Sequence, residues 1–84
     1  MHYSYITSGT CSSKIDLDVE DGIVKNVKYT GGCNGNLQGI ARLVEGMRAD
    51  EVIQKCSGIH CGYKTTSCPD QLAKALKIAL DKQD

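Results

Sequence analysis

The chain contains no Phe and no Trp, and its ten acidic residues are balanced by ten basic ones. A balanced charge provides no net field to attract nucleic acid or an anionic membrane. With four Tyr and no larger aromatic side chain, a platform for stacking bases is not expected either. No apolar run reaches ten residues, which is too short for a membrane-spanning helix. These absences argue against nucleic-acid and membrane partners.

The N-terminus also lacks the basic start and apolar stretch of a secretory signal. We therefore expect a cytoplasmic protein, in a compartment where thiols stay reduced. Five cysteines in such a compartment indicate ligands or reactive thiols rather than disulfides, and the odd number agrees with this. With 84 residues, the chain is expected to be a single domain, 1–84. A core of this size is marginal, so extra cross-links are often recruited.

The first half of the chain has the pattern of a small antiparallel sheet. Residues 14–20 alternate strictly between polar and apolar, which predicts a strand with its buried face formed by Ile15, Leu17 and Val19. Asp21-Gly22 follows as a two-residue hairpin turn. The return strand, 23–29, is predicted to bury Ile23, Val27 and Tyr29. A weaker signal indicates an earlier strand over residues 3–7.

After Gly31-Gly32 the apolar period becomes helical, with a stripe formed by Leu37, Ile40, Ala41, Val44 and Met47. Asn34 or Asn36 could cap this helix. A short second helix is expected from about Asp50, and a last helix opens at Pro69. Strands followed by helices predict an α+β domain, in which a sheet of about three antiparallel strands carries helices on one face.

The positions of four cysteines indicate one site. Cys11 precedes the first hairpin strand and Cys33 follows the return strand, so both lie at the open end of the hairpin. Cys33 and Cys68 each precede a helix, where free N–H groups and the helix dipole favour a thiolate. Cys61 lies seven residues before Cys68 in a loop. Four sulfurs meeting at one point would suit tetrahedral zinc or an iron–sulfur cluster.

This spacing leaves alternatives open, because no C-x-x-C pair is present. The four cysteines could be reactive thiols or could simply be buried. Cys56 continues the apolar stripe of Val52 and Ile53, so core packing is the better interpretation for that residue. Lys64 could offset the negative charge of a four-thiolate site, or it could be a solvated loop lysine.

Thr66-Ser67-Cys68-Pro69-Asp70 spells the motif that names the TSCPD domain family. Gly9-Thr10-Cys11-Ser12 and Gly31-Gly32-Cys33-Asn34-Gly35-Asn36 also resemble the small stand-alone members, in the right order. Such domains also occur at the C-terminal end of cobalamin-dependent ribonucleoside-diphosphate reductases. The resemblance implies a link to deoxyribonucleotide synthesis, but 84 residues cannot enclose the large barrel of a reductase. We therefore do not expect catalysis by this chain alone.

The order of Cys11, Cys33 and Cys68 also resembles, more distantly, the iron–sulfur scaffolds of the SufE/NifU-like fold. Those scaffolds carry an Asp two residues after the first cysteine, where this chain has Ser13. They carry a His just before the last cysteine, where this chain has Ser67. Cys61 could supply the missing ligand, which would make the site all sulfur and would favour permanent binding over transfer.

Three hypotheses follow from these patterns. The first is a metal-binding module whose ligands are Cys11, Cys33, Cys61 and Cys68, with a ribonucleotide reductase or an iron–sulfur assembly protein as partner. The second is a thiol redox protein that assists a ribonucleotide reductase, with Cys68 as the attacking thiol and Cys61 or Cys33 resolving. The third is a structural interaction domain, such as a homodimer, whose cysteines strengthen a small core.

Overall fold

The computed structural model describes residues 1–83, in which a three-stranded antiparallel sheet precedes three helices. This confirms the α+β arrangement predicted from the sequence. The elements in chain order are β1 (His2–Ile6), β2 (Ser12–Glu20), β3 (Ile23–Gly31), α1 (Asn34–Val44), α2 (Ala49–Cys56) and α3 (Cys68–Gln83). Within this part of the chain, none of the helices combines the length and apolar character needed to cross a bilayer.

The sheet has the strand order β1-β2-β3, and the β2–β3 hairpin closes at the predicted turn. Asp21 and Gly22 have φ values of 52° and 78°, the left-handed conformation that such a two-residue turn requires. The predicted inner face of β2 is confirmed, because Ile15, Leu17 and Val19 are fully buried. The hairpin therefore places the end of β3 beside the start of β2.

The inner face of β3 differs from the prediction of Ile23, Val27 and Tyr29. Val24 is fully buried, whereas Ile23 and Tyr29 are only partly buried. The cause is a bulge at Asn26, whose φ of 56° accompanies a shift of register against β2. In a regular strand, side chains on one face lie an even number of positions apart. The extra residue of the bulge shifts this alternation by one, so Val24 and Val27 both face the core.

Helix α1 begins without the predicted asparagine cap. Its N-cap residue is Cys33, which makes no side-chain capping hydrogen bond, and Asn34 is already helical. The Asn34 carboxamide instead accepts a hydrogen bond of 3.0 Å from Gln38. The helix starts earlier than predicted because the chain turns directly out of β3 through Gly31 and Gly32, both with φ of 79°.

Helix α3 begins at Cys68, one residue before the predicted start at Pro69. The hydroxyl of Ser67 accepts the backbone N–H of Asp70 at 3.1 Å and so satisfies one of the free donors of the first turn. The helices cover one face of the sheet and enclose a cluster of buried apolar side chains. Its largest fully buried members are Ile15, Leu17, Val19, Val24, Val52, Leu72 and Leu76.

Candidate functional site

The segments that carry Cys11, Cys33 and Cys68 meet at the end of the hairpin opposite its turn. Cys11 lies just before β2, Cys33 follows β3, and Cys68 is the first residue of α3. The Sγ atoms of Cys11 and Cys68 are 4.0 Å apart, although 57 positions separate the two residues. The hairpin and the start of α3 thus bring distant stretches of sequence to one corner, as the sequence predicts.

A second bulge turns a serine toward these sulfurs. The register of β2 against β3 shifts between Ser12 and Lys14, which adds Ser13 to β2. Ser12 consequently faces inward with 4% of its surface exposed, whereas Ser13 is more exposed and donates to the carbonyl of Thr30. The Ser12 hydroxyl lies 3.2 Å from the Cys68 sulfur, within hydrogen-bond distance of it.

Gly32 allows the backbone to pass directly beneath Cys11. An added Cβ atom at this position would lie 2.9 Å from Cδ1 of Leu37, 3.1 Å from the Ser12 nitrogen and 3.2 Å from the Cys11 sulfur. The φ of Gly32, 79°, is also one that residues with side chains rarely adopt. Only glycine therefore permits this close approach of β3, β2 and the Cys11 sulfur.

The surroundings of Cys11 favour its thiolate. The backbone amide of Cys33 lowers the pKa of the Cys11 thiol most, followed by hydrogen bonding from the Cys68 thiol. The positive charge of Lys64 acts in the same direction. Because Cys11 is also exposed, its sulfur is both accessible to a metal ion or an electrophile and easier to deprotonate than an ordinary cysteine.

Cys68 lies deeper, with 8% of its surface exposed. Its carbonyl oxygen accepts a hydrogen bond of 3.0 Å from the hydroxyl of Tyr29 on β3. Burial raises the pKa of Tyr29, so this hydroxyl stays protonated and remains a donor. Cys68 is therefore held by its backbone as well as by the Ser12 contact to its sulfur.

The other residues of the Thr66–Asp70 motif hold the start of α3. Thr66 donates from its hydroxyl to Asp70 at 2.5 Å, and the second carboxylate oxygen of Asp70 accepts the backbone N–H of Gly58 at 2.7 Å. These two hydrogen bonds, with Thr66 contributing most, lower the pKa of Asp70. The motif thus supplies one sulfur and the polar contacts that fix the preceding loop around it.

The other two predicted ligands lie at the exposed rim of the corner. The side chains of Cys33 and Cys61 are exposed, and the Cys61 backbone N–H donates to the carbonyl of Thr66 at 3.1 Å. Across residues 1–83, no three side chains of His, Cys, Asp or Glu are grouped so as to hold a metal ion. The structure therefore brings two of the four predicted ligand sulfurs into contact.

Cys56 differs from the other four cysteines. It is partly buried and packs against the apolar core, as its position on the stripe of Val52 and Ile53 predicts. Burial raises the pKa of its thiol, which makes it a poorer ligand than Cys11.

Sequence reasoning missed several polar residues of this corner. The role of Ser12 depends on a bulge that the pattern of β2 does not reveal, because Ser13 would face inward in a regular strand. An acidic residue in the first turn of a helix is explained by the helix dipole alone, so the sequence does not reveal that Asp70 mainly contacts Thr66 and Gly58. The spacing Ser67-x-x-Asp70 is the available signal, because it is typical of a helix start.

Fold and site together define a small α+β domain with a cysteine pair where its sheet meets a helix start. The sequence matches the TSCPD domain over residues 1–80. The chain therefore belongs to the TSCPD domain family. Searches of curated proteins and of solved structures gave no match.

Proposed function

We propose that this TSCPD domain is a metal-binding module whose ligands are Cys11, Cys33, Cys61 and Cys68. The observation that carries the proposal is the separation of 4.0 Å between the Cys11 and Cys68 sulfurs. Two thiolates on one tetrahedral zinc ion, with bonds of about 2.3 Å, lie about 3.8 Å apart. The pair therefore fits two positions of such a site with almost no movement.

The donor set agrees with zinc or an iron–sulfur cluster. Thiolates are the ligands that both prefer, and Cys11 is already shifted toward its thiolate form. Cys33, at the N-cap of α1, and Cys61, in the loop before α3, are the exposed cysteines available to complete the set. Four protein ligands leave no open position, so the metal would cross-link the start of β2, the start of α1 and the start of α3.

The proposed setting is deoxyribonucleotide synthesis in the cytoplasm. The TSCPD resemblance suggests a role as an accessory to a ribonucleoside-diphosphate reductase, and the order of the cysteines suggests an iron–sulfur assembly protein as an alternative partner. In this setting the domain contributes a metal-stabilised surface rather than a reaction of its own. A small domain with a marginal core benefits from such a cross-link.

The proposal is tested by metal analysis of protein purified anaerobically under reducing conditions. We expect close to one zinc ion, or one iron–sulfur cluster with its visible absorption, per chain. Cys11→Ser and Cys68→Ser should lose most of the metal, whereas Cys56→Ser should retain it and serves as the control. Metal-free protein with all four proposed ligand thiols open to alkylation would contradict the proposal.

The same cysteine pair favours a second candidate function, thiol–disulfide exchange in support of a ribonucleotide reductase. The roles proposed here differ from those expected from the sequence, in which Cys68 attacks. Cys11 is exposed and has a lowered pKa, so it suits the attacking thiolate, whereas the buried Cys68 beside it suits the resolving thiol. Metal-free protein should then form a reversible Cys11–Cys68 disulfide. A pair that stays reduced in oxidising thiol buffers would exclude this function.

A further inference from the structure

Gln71 is a buried polar residue of α3 that connects two segments of the cysteine corner. With 2% of its surface exposed, its amide nitrogen donates to the Thr66 hydroxyl at 3.0 Å. Its amide oxygen accepts the backbone N–H of Ser8 at 3.1 Å. Both ends of the carboxamide are therefore used, and a side chain with only a donor or only an acceptor could not replace it.

These two contacts join the backbone segments that carry Cys11 and Cys68. Ser8 lies three residues before Cys11, and Thr66 lies two residues before Cys68. The segment after Ser8 packs closely on Thr66, because a Cβ atom added at Gly9 would lie 3.1 Å from the Thr66 methyl group. The Gln71 side chain thus bridges the loop that leads to Cys11 and the segment that leads into α3.

We propose that Gln71 is a positioning residue that holds the Cys11 and Cys68 sulfurs at their observed separation. The metal site of the proposed function would need this separation of the two sulfurs. In that respect the inference rests on the proposed function. Fixing two groups in the correct geometry raises their effective concentration toward each other. Losing both hydrogen bonds of Gln71 should lower the effective concentration of the sulfur pair about tenfold.

The effective concentration can be measured without any metal, in glutathione buffers that contain a chelator. The Cys11 thiolate attacks oxidised glutathione and releases one reduced glutathione, and Cys68 then displaces the second. Two protein thiols lose two electrons and two protons, and oxidised glutathione gains both. Trypsin cleaves after Lys14, Lys64 and Lys74, so a disulfide between peptides 1–14 and 65–74 identifies the Cys11–Cys68 pair. The full chain is used throughout.

The test compares Gln71→Met with Gln38→Met. Met keeps the length of the side chain and removes both hydrogen bonds, and Gln38 is an exposed glutamine of α1 that bonds only locally to Asn34. We expect the equilibrium constant for the Cys11–Cys68 disulfide to fall about tenfold in Gln71→Met and to stay unchanged in Gln38→Met. An unchanged constant in Gln71→Met, or no such disulfide in the unaltered chain, would overturn the inference.

A purely structural role for Gln71 gives a different result. In that case the variant would unfold at a lower temperature, while the disulfide constant measured well below that temperature would not change. If Gln71→Met does not fold, Thr66→Val removes the hydroxyl that receives the Gln71 amide. It also removes the donor to Asp70, so Asp70→Asn is measured beside it. A Thr66→Val constant equal to that of the unaltered chain, or to that of Asp70→Asn, would overturn the inference. The disulfide assay is independent of metal content, so failure of the proposed function would be seen separately.

Discussion

At the scale of single residues, the unusual feature is the difference between Cys11 and Cys68. The two sulfurs are in contact, yet Cys11 is exposed and Cys68 is buried. The Cys33 amide and the Cys68 thiol both stabilise negative charge on Cys11, which lowers its pKa. The Ser12 hydroxyl lies beside Cys68 on the inner side of the pair. The Cys11 sulfur is therefore accessible from solvent, whereas the Cys68 sulfur is buried and held in place.

The lowered pKa of Cys11 predicts its reactivity toward alkylation in metal-free protein. Because the thiolate is the reactive form, the alkylation rate of Cys11 should reach half of its maximum at a lower pH than that of an ordinary cysteine. Cys68→Ala removes one donor to this thiolate, so the midpoint should move to higher pH. The rate is followed on peptide 1–14, with the urea-unfolded chain as reference. A midpoint equal to that of the unfolded chain would contradict the account.

At the scale of secondary-structure elements, two bulges and one glycine shape the corner. The bulge at Asn26 redirects β3 toward the core, and the bulge near Ser13 turns Ser12 toward Cys68. Gly32 then lets the chain pass from β3 into α1 close to the Cys11 sulfur, where a side chain would not fit. These irregularities place the cysteines, so the regular parts of the strands mainly supply the core.

Gly32→Ala should disturb this corner, and Gly35→Ala is its matched control. At Gly32 the added methyl group would meet Leu37, Ser12 and the Cys11 sulfur at a positive φ, so we expect the free energy of unfolding to fall by about 2 kcal/mol. At Gly35, inside α1, an added methyl group meets nothing within 4 Å. That change should be neutral or stabilise the helix by up to about 1 kcal/mol. Urea unfolding measures both values, and equal effects of the two changes would contradict this interpretation.

The regular elements were predictable from sequence, and the irregular ones were not. Burial of one face enforces the alternation of β2 and the apolar stripe of α1, and both are visible as local repeats. The Asp21-Gly22 turn is visible from its residue types. The bulges depend on contacts that are distant in sequence, such as the hydrogen bond from the Asn26 backbone N–H to the Glu45 carboxylate. The position of the N-cap at Cys33 likewise depends on how the chain leaves β3.

At the scale of the whole molecule, polar contacts hold together segments that lie far apart in sequence. The Asp70 carboxylate links α3 to the end of α2 through Gly58, and Gln71 links α3 to the loop before β2. No buried side-chain nitrogen or oxygen in the described part of the chain lacks a hydrogen-bond partner. Hairpin topology predicts that Cys11 and Cys33 lie at the same end of the sheet, whereas the contact of Cys11 with Cys68 also depends on how α3 packs against that end. The polar network could not be predicted from the sequence, because it depends on the path of the 57–67 loop.

The Asp70 contacts predict how stability depends on pH. The pKa of Asp70 is lowered in the folded state, so its ionised form stabilises the fold above about pH 4 and this contribution is lost as the pH falls through the folded pKa. Asp70→Asn should lower the free energy of unfolding by about 2 kcal/mol at pH 7. The difference between the two proteins should shrink below pH 4. Urea unfolding between pH 7 and about pH 2.5 measures it, and Asp50→Asn on the surface of α2 is the control. A difference that does not change with pH would contradict this role for Asp70.

The most direct test of the account is to map which thiols zinc protects from alkylation in the reduced, metal-free chain. Trypsin places Cys11, Cys33 and Cys68 on separate peptides, and a second cleavage between Cys56 and Cys61 resolves the remaining two. We predict that one equivalent of zinc protects Cys11, Cys33, Cys61 and Cys68 together and leaves Cys56 reactive. Protection of none of the four, or equal protection of Cys56, would contradict the claim that the sulfurs at this corner form one metal site.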